Sequence, residues 1–294
     1  MFEICGPYRI NGITEVPGDK SISHRSVILS SLTLDRVLIE NFLYSQDCLR
    51  TLEALKKIGI NATENKNSLL VQGCGVSNFT EPDDVLYTGN SGTSMRILSG
   101  LLCGCKFMSV LTGDKSVNER PMDRIIKPLR DMGAAIYGRD NNKKPPVVIF
   151  GGNKLKAVRH EINVSSAQVK SCISIAALFA EGTTEIIQPE ISRDHTERML
   201  EYFGAEIEYD GKYTKIIPGR QLKGKDIFVP GDFSSAAFFI IAGLILDNSK
   251  ITIKNVGINP TRAYLLNILK DMGANINIKN ERTKNNEKLA DIES

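Results

Sequence analysis

One short pattern recurs four times along the chain and restricts the folds that the chain can adopt. In each copy a leucine is followed four residues later by a glycine. The apolar residues before the glycine are spaced by three and four, which predicts an amphipathic helix, and the glycine supplies the left-handed residue that ends it. The four glycines, Gly59, Gly133, Gly204 and Gly273, are separated by 74, 71 and 69 residues. The chain is therefore predicted to contain four similar units.

Each unit also predicts a second helix and a hairpin. Short polar segments open helices of small and apolar residues at four positions, anchored at Ser21, Thr93, Ser166 and Ser235. These helices are predicted over 26–32, 95–103, 169–180 and 236–246. After each repeated glycine, apolar and polar residues alternate, as at 205–209, and a polar turn such as 210–212 follows. Each unit is thus predicted to be strand, buried helix, strand, amphipathic helix and hairpin, an α/β arrangement.

The first of these helix starts, Pro-Gly-Asp-Lys-Ser-Ile-Ser-His-Arg at 17–25, carries two cations. Asp19 and Ser21 are residue types that cap helices, so Lys20 and Arg25 are expected in the first turn. Free N–H groups and the positive end of the helix dipole favour an anion there, and two cations are unfavourable unless a negative group binds. The segment therefore predicts an anion site. A capped helix with two solvated basic residues is the alternative.

Four equivalent helix starts would meet at one end of a lobe if the units pack around a common axis. Their dipoles would then add towards one anion. Close packing of helices through small residues is the other explanation of the same pattern. Further polar and basic residues fall at the same ends of the units: Arg96 after a Gly-Asn-Ser-Gly turn, Arg120 before a proline that is expected to open a helix, Gln168 and Arg193.

Charge and residue usage exclude several functions. A net charge of +3 over 294 residues gives no support to binding of nucleic acid or of a membrane surface. The sequence shows neither a secretion signal nor an apolar stretch of membrane-spanning length, so a cytoplasmic protein is expected. The six cysteines are scattered and the three histidines are far apart, so no metal site is expected. The thiols are expected to be buried and reduced.

Six motifs, in order along the chain, lie at 17–25, 89–96, 113–122, 165–171, 192–197 and 230–239. They closely resemble the motifs of the 3-phosphoshikimate 1-carboxyvinyltransferases, the EPSP synthase family, and the segment Ser-Ala-Gln-Val-Lys at 166–170 resembles the bacterial class II members. The resemblance extends from residue 4 to the end of the chain. It implies an enolpyruvyl transferase fold of two lobes, each an inside-out α/β barrel of three βαβαββ units, with the substrates in the cleft between the lobes.

The resemblance also implies a division of the chain. Residues 14–226 would form a complete three-unit lobe that binds shikimate 3-phosphate, whereas 1–13 and 227–294 would form a partial second lobe with about one of its three units. The family's acidic base, its acid–base lysine and glutamate, and further arginines would lie beyond residue 294, which implies a C-terminally truncated chain. Because one unit cannot bury both faces of its sheet and helices, this end is expected to be poorly covered.

By match of motif, several residues of the larger lobe would hold shikimate 3-phosphate. Lys20 would contact both this substrate and phosphoenolpyruvate, and it is the one catalytic residue that the resemblance places within the chain. Ser21 and Arg25 would hold the shikimate moiety. The phosphate and its ring neighbours would be held by Ser165, Ser166 and Gln168, with Arg193 nearby.

Phosphoenolpyruvate would be bound at the start of the second unit. Gly92 would leave room for its phosphate, and Arg120 would pair with it. A second layer of side chains would support these contacts: Asp47, Asn90, Thr93 and Arg96.

The implied reaction transfers the enolpyruvyl group of phosphoenolpyruvate to the 5-hydroxyl of shikimate 3-phosphate, on the shikimate pathway to chorismate and the aromatic amino acids. The products are 5-enolpyruvylshikimate 3-phosphate and phosphate, and no metal or organic cofactor is needed. The chain would be a monomer, complemented by a missing C-terminal segment. The truncation implies no appreciable turnover by the isolated chain.

Two other functions are compatible with parts of the sequence. A UDP-N-acetylglucosamine enolpyruvyl transferase shares the fold and the donor, but it would be expected to carry a reactive cysteine in a loop. In this sequence Cys103 and Cys105 lie in or next to a predicted apolar helix instead. A non-catalytic anion-binding protein, or one half of a split enzyme, would bind shikimate 3-phosphate without turnover.

Overall fold

The structure, a computed structural model, describes Gly6 and residues 9–294. Four α/β units follow one another along these residues, as the repeated glycines predict. Each unit has a helix of small and apolar residues, a strand, an amphipathic helix and a β-hairpin, so the predicted order of elements is confirmed. Cys5 and part of the predicted segment 1–13 lie outside the described residues.

The helices and strands fall into the four units in chain order. The first unit contains β1 (Asn11–Glu15), α1 (Lys20–Ser31), β2 (Arg36–Glu40), α2 (Gln46–Lys57), β3 (Asn61–Glu64) and β4 (Ser68–Gln72). The second contains β5 (Leu86–Tyr87), α3 (Gly92–Leu102), β6 (Met108–Thr112), α4 (Asp123–Asp131), β7 (Ala135–Gly138), the single turn α5 (Arg139–Asn142) and β8 (Lys144–Phe150). The third contains β9 (Leu155–Lys156), β10 (Arg159–Glu161), α6 (Ala167–Ala177), β11 (Ala180–Glu181), β12 (Thr184–Ile187), α7 (His195–Tyr202), β13 (Glu206–Tyr209) and β14 (Tyr213–Ile217). The fourth contains β15 (Ile227–Phe228), α8 (Phe233–Ile245), β16 (Lys250–Gly257), α9 (Leu265–Asp271), β17 (Asn277–Lys284) and β18 (Glu287–Glu293).

The repeated glycines end the amphipathic helices as predicted. The φ angles of Gly59, Gly133, Gly204 and Gly273 are 98°, 93°, 83° and 88°. A left-handed residue at this position satisfies the last carbonyl groups of a helix and turns the chain, and glycine adopts it without steric cost. The chain then enters the hairpin of the same unit.

Some helix boundaries differ from the predictions. Helix α1 begins at Lys20, so Arg25 lies in its second turn and not in the first. Helix α6 ends at Ala177, before the predicted end at residue 180, and Ala180 instead begins β11, which pairs with β9. Pro121 does not open a helix, since the N–H of Met122 donates to the carbonyl of Lys143 at 2.7 Å and α4 starts only afterwards.

Each unit has a four-stranded sheet in which a pair of parallel strands lies beside an antiparallel hairpin. The sheet orders are β15-β2-β4-β3, β5-β6-β8-β7, β10-β12-β14-β13 and β1-β16-β18-β17. The first and fourth units exchange a strand: β1 precedes α1 but pairs with β16, whereas β15 precedes α8 but pairs with β2. The chain therefore crosses twice between the first three units and the fourth.

Apolar side chains form two separate cores of unequal size. The larger core contains buried residues from Ile22 to Val229 and encloses α1, α3 and α6. The smaller core contains Val16 and residues between Phe233 and Ile292. Two cores accord with a larger and a smaller lobe, and the boundaries at residues 14 and 226 remain a prediction.

The smaller lobe exposes an apolar face. In the larger lobe α3 packs against both α1 and α6, so these helices cover one another. Helix α8 has the same place in its own unit, yet Phe238 is 79% exposed and Ile245 is 73% exposed. On α9 Ile268 is exposed, and Met272, directly after this helix, is 77% exposed. The poor covering expected for one unit alone is therefore observed at this end of the described chain.

Candidate active site

The start of α1 has the geometry of an anion site. Asp19 caps the helix, since its Oδ1 accepts from the N–H of Ile22 at 2.9 Å. Lys20 is the first helical residue, and its ammonium group forms an ion pair with the carboxylate of Asp47 on α2. The N–H groups of Lys20 and Ile22 are already bonded to the carboxylates of Asp232 and Asp19, so a negative ligand is favoured here by the ammonium group and the helix dipole.

Arg25 lies behind this helix start and is only 3% exposed. Its Nε donates to the hydroxyl of Thr196 at 2.6 Å and its Nη2 to that of Ser171 at 2.7 Å. Its Nη1 donates to the carbonyl of Ser21 at 2.9 Å. Burial, with the nearby charge of Arg193, lowers the pKa of Arg25 to about 10, so the guanidinium stays charged at neutral pH. Arg25 therefore joins α1 to α6 and α7 from the buried side.

A cavity of about 480 Å³ opens at the start of α6. Its lining residues are Ser165, Ser166, Ala167, Gln168, Ser192, Arg193 and Thr261. Ser166 caps α6 by accepting from the N–H of Val169 at 3.4 Å. Arg193 donates through Nη1 to the hydroxyl of Ser21 at 2.8 Å. This contact places the cavity directly beside the start of α1.

The start of α3 adjoins the same cavity. The side-chain oxygen of Gln168 accepts from Arg96 at 2.5 Å, and its amide nitrogen donates to the hydroxyl of Thr93 at 2.8 Å. A Cβ atom on Gly92 would lie 2.9 Å from Nη1 of Arg120 and 3.0 Å from Nη1 of Arg96. The glycine therefore lets two guanidinium groups approach the backbone at the helix start.

The two guanidinium groups form a positively charged cluster. Arg120 donates to the side-chain oxygen of Asn90, whose amide nitrogen donates to Asp114 at 2.8 Å. The pKa of Arg96 is lowered by burial and by the nearby charges of Arg120 and Arg124. Within residues 9–294, neither Arg96 nor Arg120 forms an ion pair with a carboxylate. A bound anion would relieve this repulsion.

The fourth helix start contacts the first, but it contributes no cation. Asp232 caps α8 by accepting from the N–H of Ser234 at 2.7 Å, and its other oxygen accepts from the N–H of Lys20 at 3.2 Å. Arg262 lies 3.3 Å from Asp232 and 3.8 Å from Asp19. The predicted meeting of helix starts is therefore observed for α1, α3 and α6, whereas α8 meets α1 through acidic caps.

Several residues near the site were not found from the sequence. Lys170 and Glu197 form an ion pair of 2.5 Å, and both side chains are 1% exposed. Thr261 and Arg262 belong to a polar Asn-Pro-Thr-Arg segment, 259–262, that follows β16. The Asn-Pro dipeptide after a predicted strand is the sequence feature that could have indicated a turn at Thr261 and Arg262.

The thiols are not placed for reaction. The cysteines of the described part of the chain are free, and Cys103 and Cys105 are buried at the end of α3. Burial raises the pKa of Cys105 to about 12 and that of Cys103 well above its usual range. A buried neutral thiol is a poor nucleophile, which argues against the sugar-specific alternative.

Metal ligation and membrane insertion find no support in the described residues. Across residue 6 and residues 9–294, no three His, Cys, Asp or Glu side chains are grouped so that they could bind a metal ion. The longest apolar helices of this same part of the chain are too short or too polar to cross a bilayer.

A family model described as EPSP synthase (3-phosphoshikimate 1-carboxyvinyltransferase) matches residues 4–293. The chain belongs to the EPSP synthase family. A 3-phosphoshikimate 1-carboxyvinyltransferase of Geobacillus kaustophilus is 47% identical over 283 residues, which are 96% of this chain and 66% of that protein. A relative of the same name from Petrotoga mobilis is 48% identical over 293 residues, which are 99% of this chain and 68% of that protein. The chain thus spans about two thirds of the length of these relatives.

Solved structures of EPSP synthases have the same fold. An EPSP synthase from Acinetobacter baumannii superposes with a TM-score of 0.93 at 44% identity, covering 97% of this chain and 64% of that one. This match confirms the predicted α/β enolpyruvyl transferase fold. The resemblance that six motifs indicated is confirmed by both the family model and the structures.

Proposed function

We propose that this chain provides the shikimate 3-phosphate-binding part of a cytoplasmic 3-phosphoshikimate 1-carboxyvinyltransferase, a transferase of aromatic amino acid biosynthesis. The observation that carries the proposal is the meeting of three helix starts, α1, α3 and α6, beside a cluster of guanidinium groups. The Arg193 to Ser21 and Gln168 to Thr93 hydrogen bonds connect them. Membership of the EPSP synthase family indicates which anions this arrangement would bind, namely shikimate 3-phosphate and phosphoenolpyruvate.

Shikimate 3-phosphate would occupy the cavity at the start of α6. The N–H groups of that helix, with Ser166 and Arg193, are donors that suit a phosphate. Ser21, which accepts from Arg193, and the adjacent Lys20 would lie on the adjoining side, next to the ring. Three of the five N–H groups of Arg25 bind protein groups, so Arg25 would hold Ser21 from behind and keep one N–H on each Nη for the shikimate moiety.

Phosphoenolpyruvate would bind at the start of α3, where Gly92 admits its phosphate beside Arg120 and Arg96. The 5-hydroxyl of shikimate 3-phosphate adds to the enol carbon while the methylene carbon gains a proton, and loss of phosphate restores the double bond. Two polyanions must be held together for this addition. Holding two polyanions together costs electrostatic free energy, and cations and helix dipoles that are already in place lower this cost. Lys20 would stabilise the charge between the two substrates.

A second proposal concerns the 294-residue chain by itself. Its exposed α8 and α9 face would be covered by units of the same kind, since α3 and α6 are covered in this way in the larger lobe. We propose that the chain alone is a monomer that binds shikimate 3-phosphate without turnover. Turnover would then require a complementing C-terminal segment, in the same or another polypeptide, that covers this face.

Calorimetric titration and a phosphate-release assay test both proposals. We expect saturable binding of shikimate 3-phosphate and no phosphate release after phosphoenolpyruvate is added. A Lys20→Met variant should weaken binding by about 10-fold to 100-fold, as expected for loss of a charged hydrogen bond. Lys154→Met, which alters a lysine that is 83% exposed and does not line this cavity, is the matched control and should bind like the parent.

Each proposal has its own contrary result. A folded chain that does not bind shikimate 3-phosphate would refute the first. Phosphate release at the rate of a full-length relative would refute the second and leave the first in place. Cooperative unfolding in urea establishes that the tested chain is folded.

A further inference from the structure

We infer that Thr261, from the smaller lobe, is a substrate-binding residue that accepts a hydrogen bond from a ring hydroxyl of shikimate 3-phosphate. The inference deepens the proposed function and rests on it. Thr261 lines the cavity together with Ser166, Gln168 and Arg193, which all come from the larger lobe. It is the one residue of the smaller lobe among those that line this cavity in the described chain.

The orientation of a neighbouring amide fixes the hydroxyl proton of Thr261. The side-chain nitrogen of Asn259 lies 2.7 Å from Oδ1 of Asp194 and 3.1 Å from Oε2 of Glu287. Carboxylate oxygens accept hydrogen bonds, so the nitrogen and not the oxygen of the amide must face them. Glu287 is itself held by Nδ1 of His195 at 2.7 Å. These four residues are buried, which keeps water from competing for the amide.

The amide oxygen of Asn259 therefore points towards Thr261. It accepts from the backbone N–H of Thr261 at 2.9 Å and from its hydroxyl at 2.7 Å. The single proton of that hydroxyl is thus used within the protein. What remains available to a ligand is the acceptor capacity of the oxygen.

An acceptor at this position distinguishes between the groups of the substrate. A phosphate monoester at neutral pH offers acceptor oxygens, which Thr261 cannot satisfy, whereas a ring hydroxyl can donate to it. The donors on the other wall, which include Arg193 and the N–H groups at the start of α6, suit the phosphate. The two walls therefore orient a phosphorylated polyol in one direction.

Calorimetric titration of Thr261 variants with two probes, shikimate 3-phosphate and inorganic phosphate, tests this inference. Thr261→Val keeps the branched shape and removes the hydroxyl, so it should weaken binding of shikimate 3-phosphate by about 5-fold to 10-fold. It should change binding of inorganic phosphate by less than about 2-fold. Thr261→Ser restores the hydroxyl and should restore the affinity, and Thr261→Ala repeats the test if the valine variant does not unfold cooperatively.

The outcomes separate this inference from the proposed function. If the parent chain binds shikimate 3-phosphate and both the valine and alanine variants bind it equally well, the inference is overturned alone. An equal loss of inorganic phosphate binding would also overturn it, because Thr261 would then act on the anion. If the parent chain does not bind shikimate 3-phosphate, the proposed function fails, and the inference fails with it.

Discussion

Replacing Lys170 with methionine should destabilise the chain by about 3–5 kcal/mol, the usual cost of leaving one partner of a buried ion pair unpaired. The ammonium lies 2.5 Å from Oε1 of Glu197, and both side chains are 1% exposed. Among residues 9–294, the other hydrogen bond to this carboxylate is the 3.3 Å contact from the hydroxyl of Thr214. Methionine retains most of the lysine volume, so the decrease in the free energy of unfolding reflects the lost charge and not a change in packing.

Removing both charges should recover much of that stability. The double variant Lys170→Met with Glu197→Met leaves apolar groups of similar volume in the same space, and such replacements of a buried ion pair are often close to neutral. The double-mutant cycle should therefore give a coupling energy of about 2 kcal/mol or more. Urea unfolding at pH 7, with the slope m compared among the variants, measures these free energies.

The exposed pair formed by Lys154 and Glu181 provides the matched control. Its N···O distance is 2.9 Å, but the side chains are 83% and 62% exposed. Lys154→Met should leave the unfolding curve unchanged, because solvent already screens this pair. If Lys170→Met costs no more than Lys154→Met, or if the effects of the two buried substitutions simply add, the reasoning from burial is wrong.

Two further predictions concern acid stability and the proposed phosphoenolpyruvate site. Burial, with the charges of Arg25 and Lys20, lowers the pKa of His24 from 6.5 to about 3, so only the unfolded chain takes up this proton between those values. This contribution to the free energy of unfolding is complete above pH 6.5 and falls as the pH falls towards 3. It should decrease by about 2 kcal/mol at pH 5. Urea unfolding of His24→Gln should lack this part of the pH dependence, and an unchanged dependence would contradict the assignment. Gly92→Ala places a methyl carbon 2.9 Å from Nη1 of Arg120, so that guanidinium must retreat. Calorimetric binding of phosphoenolpyruvate should weaken by about 10-fold, whereas that of shikimate 3-phosphate should stay within about 2-fold; equal losses would place Gly92 elsewhere in the site.

The sequence predicted those parts of the fold that depend on neighbouring residues. A glycine four residues after a leucine ends an amphipathic helix through its own φ angle, so Gly133 and Gly204 could be placed without tertiary information. Asp19 and Ser166 are predictable as helix-start residues because capping is also local. The spacing of these signals then predicted the order of elements in every unit.

Features that depend on contacts between distant segments were not predictable in this way. The exchange of β1 and β15 between units follows from how the lobes pack, and no local pattern encodes it. Arg25 was expected in the first turn, but the helix begins earlier than its apolar run, which places the guanidinium behind the site. Asn259 meets Asp194 across 65 residues of chain and Glu287 across 28, so only the folded structure reveals that they orient Thr261.

The candidate site lies where the first and fourth units are joined, and the backbone explains why. The N–H of Asp19 donates to the carbonyl of Pro230, and the N–H of Asp232 donates to the carbonyl of Pro17, each at 2.8 Å. These reciprocal bonds join two segments that end in helix caps, one for α1 and one for α8. Arg262 lies between the two capping carboxylates. A rotation of the smaller lobe would therefore act directly on Lys20, the first residue of α1 and the residue proposed to contact both substrates.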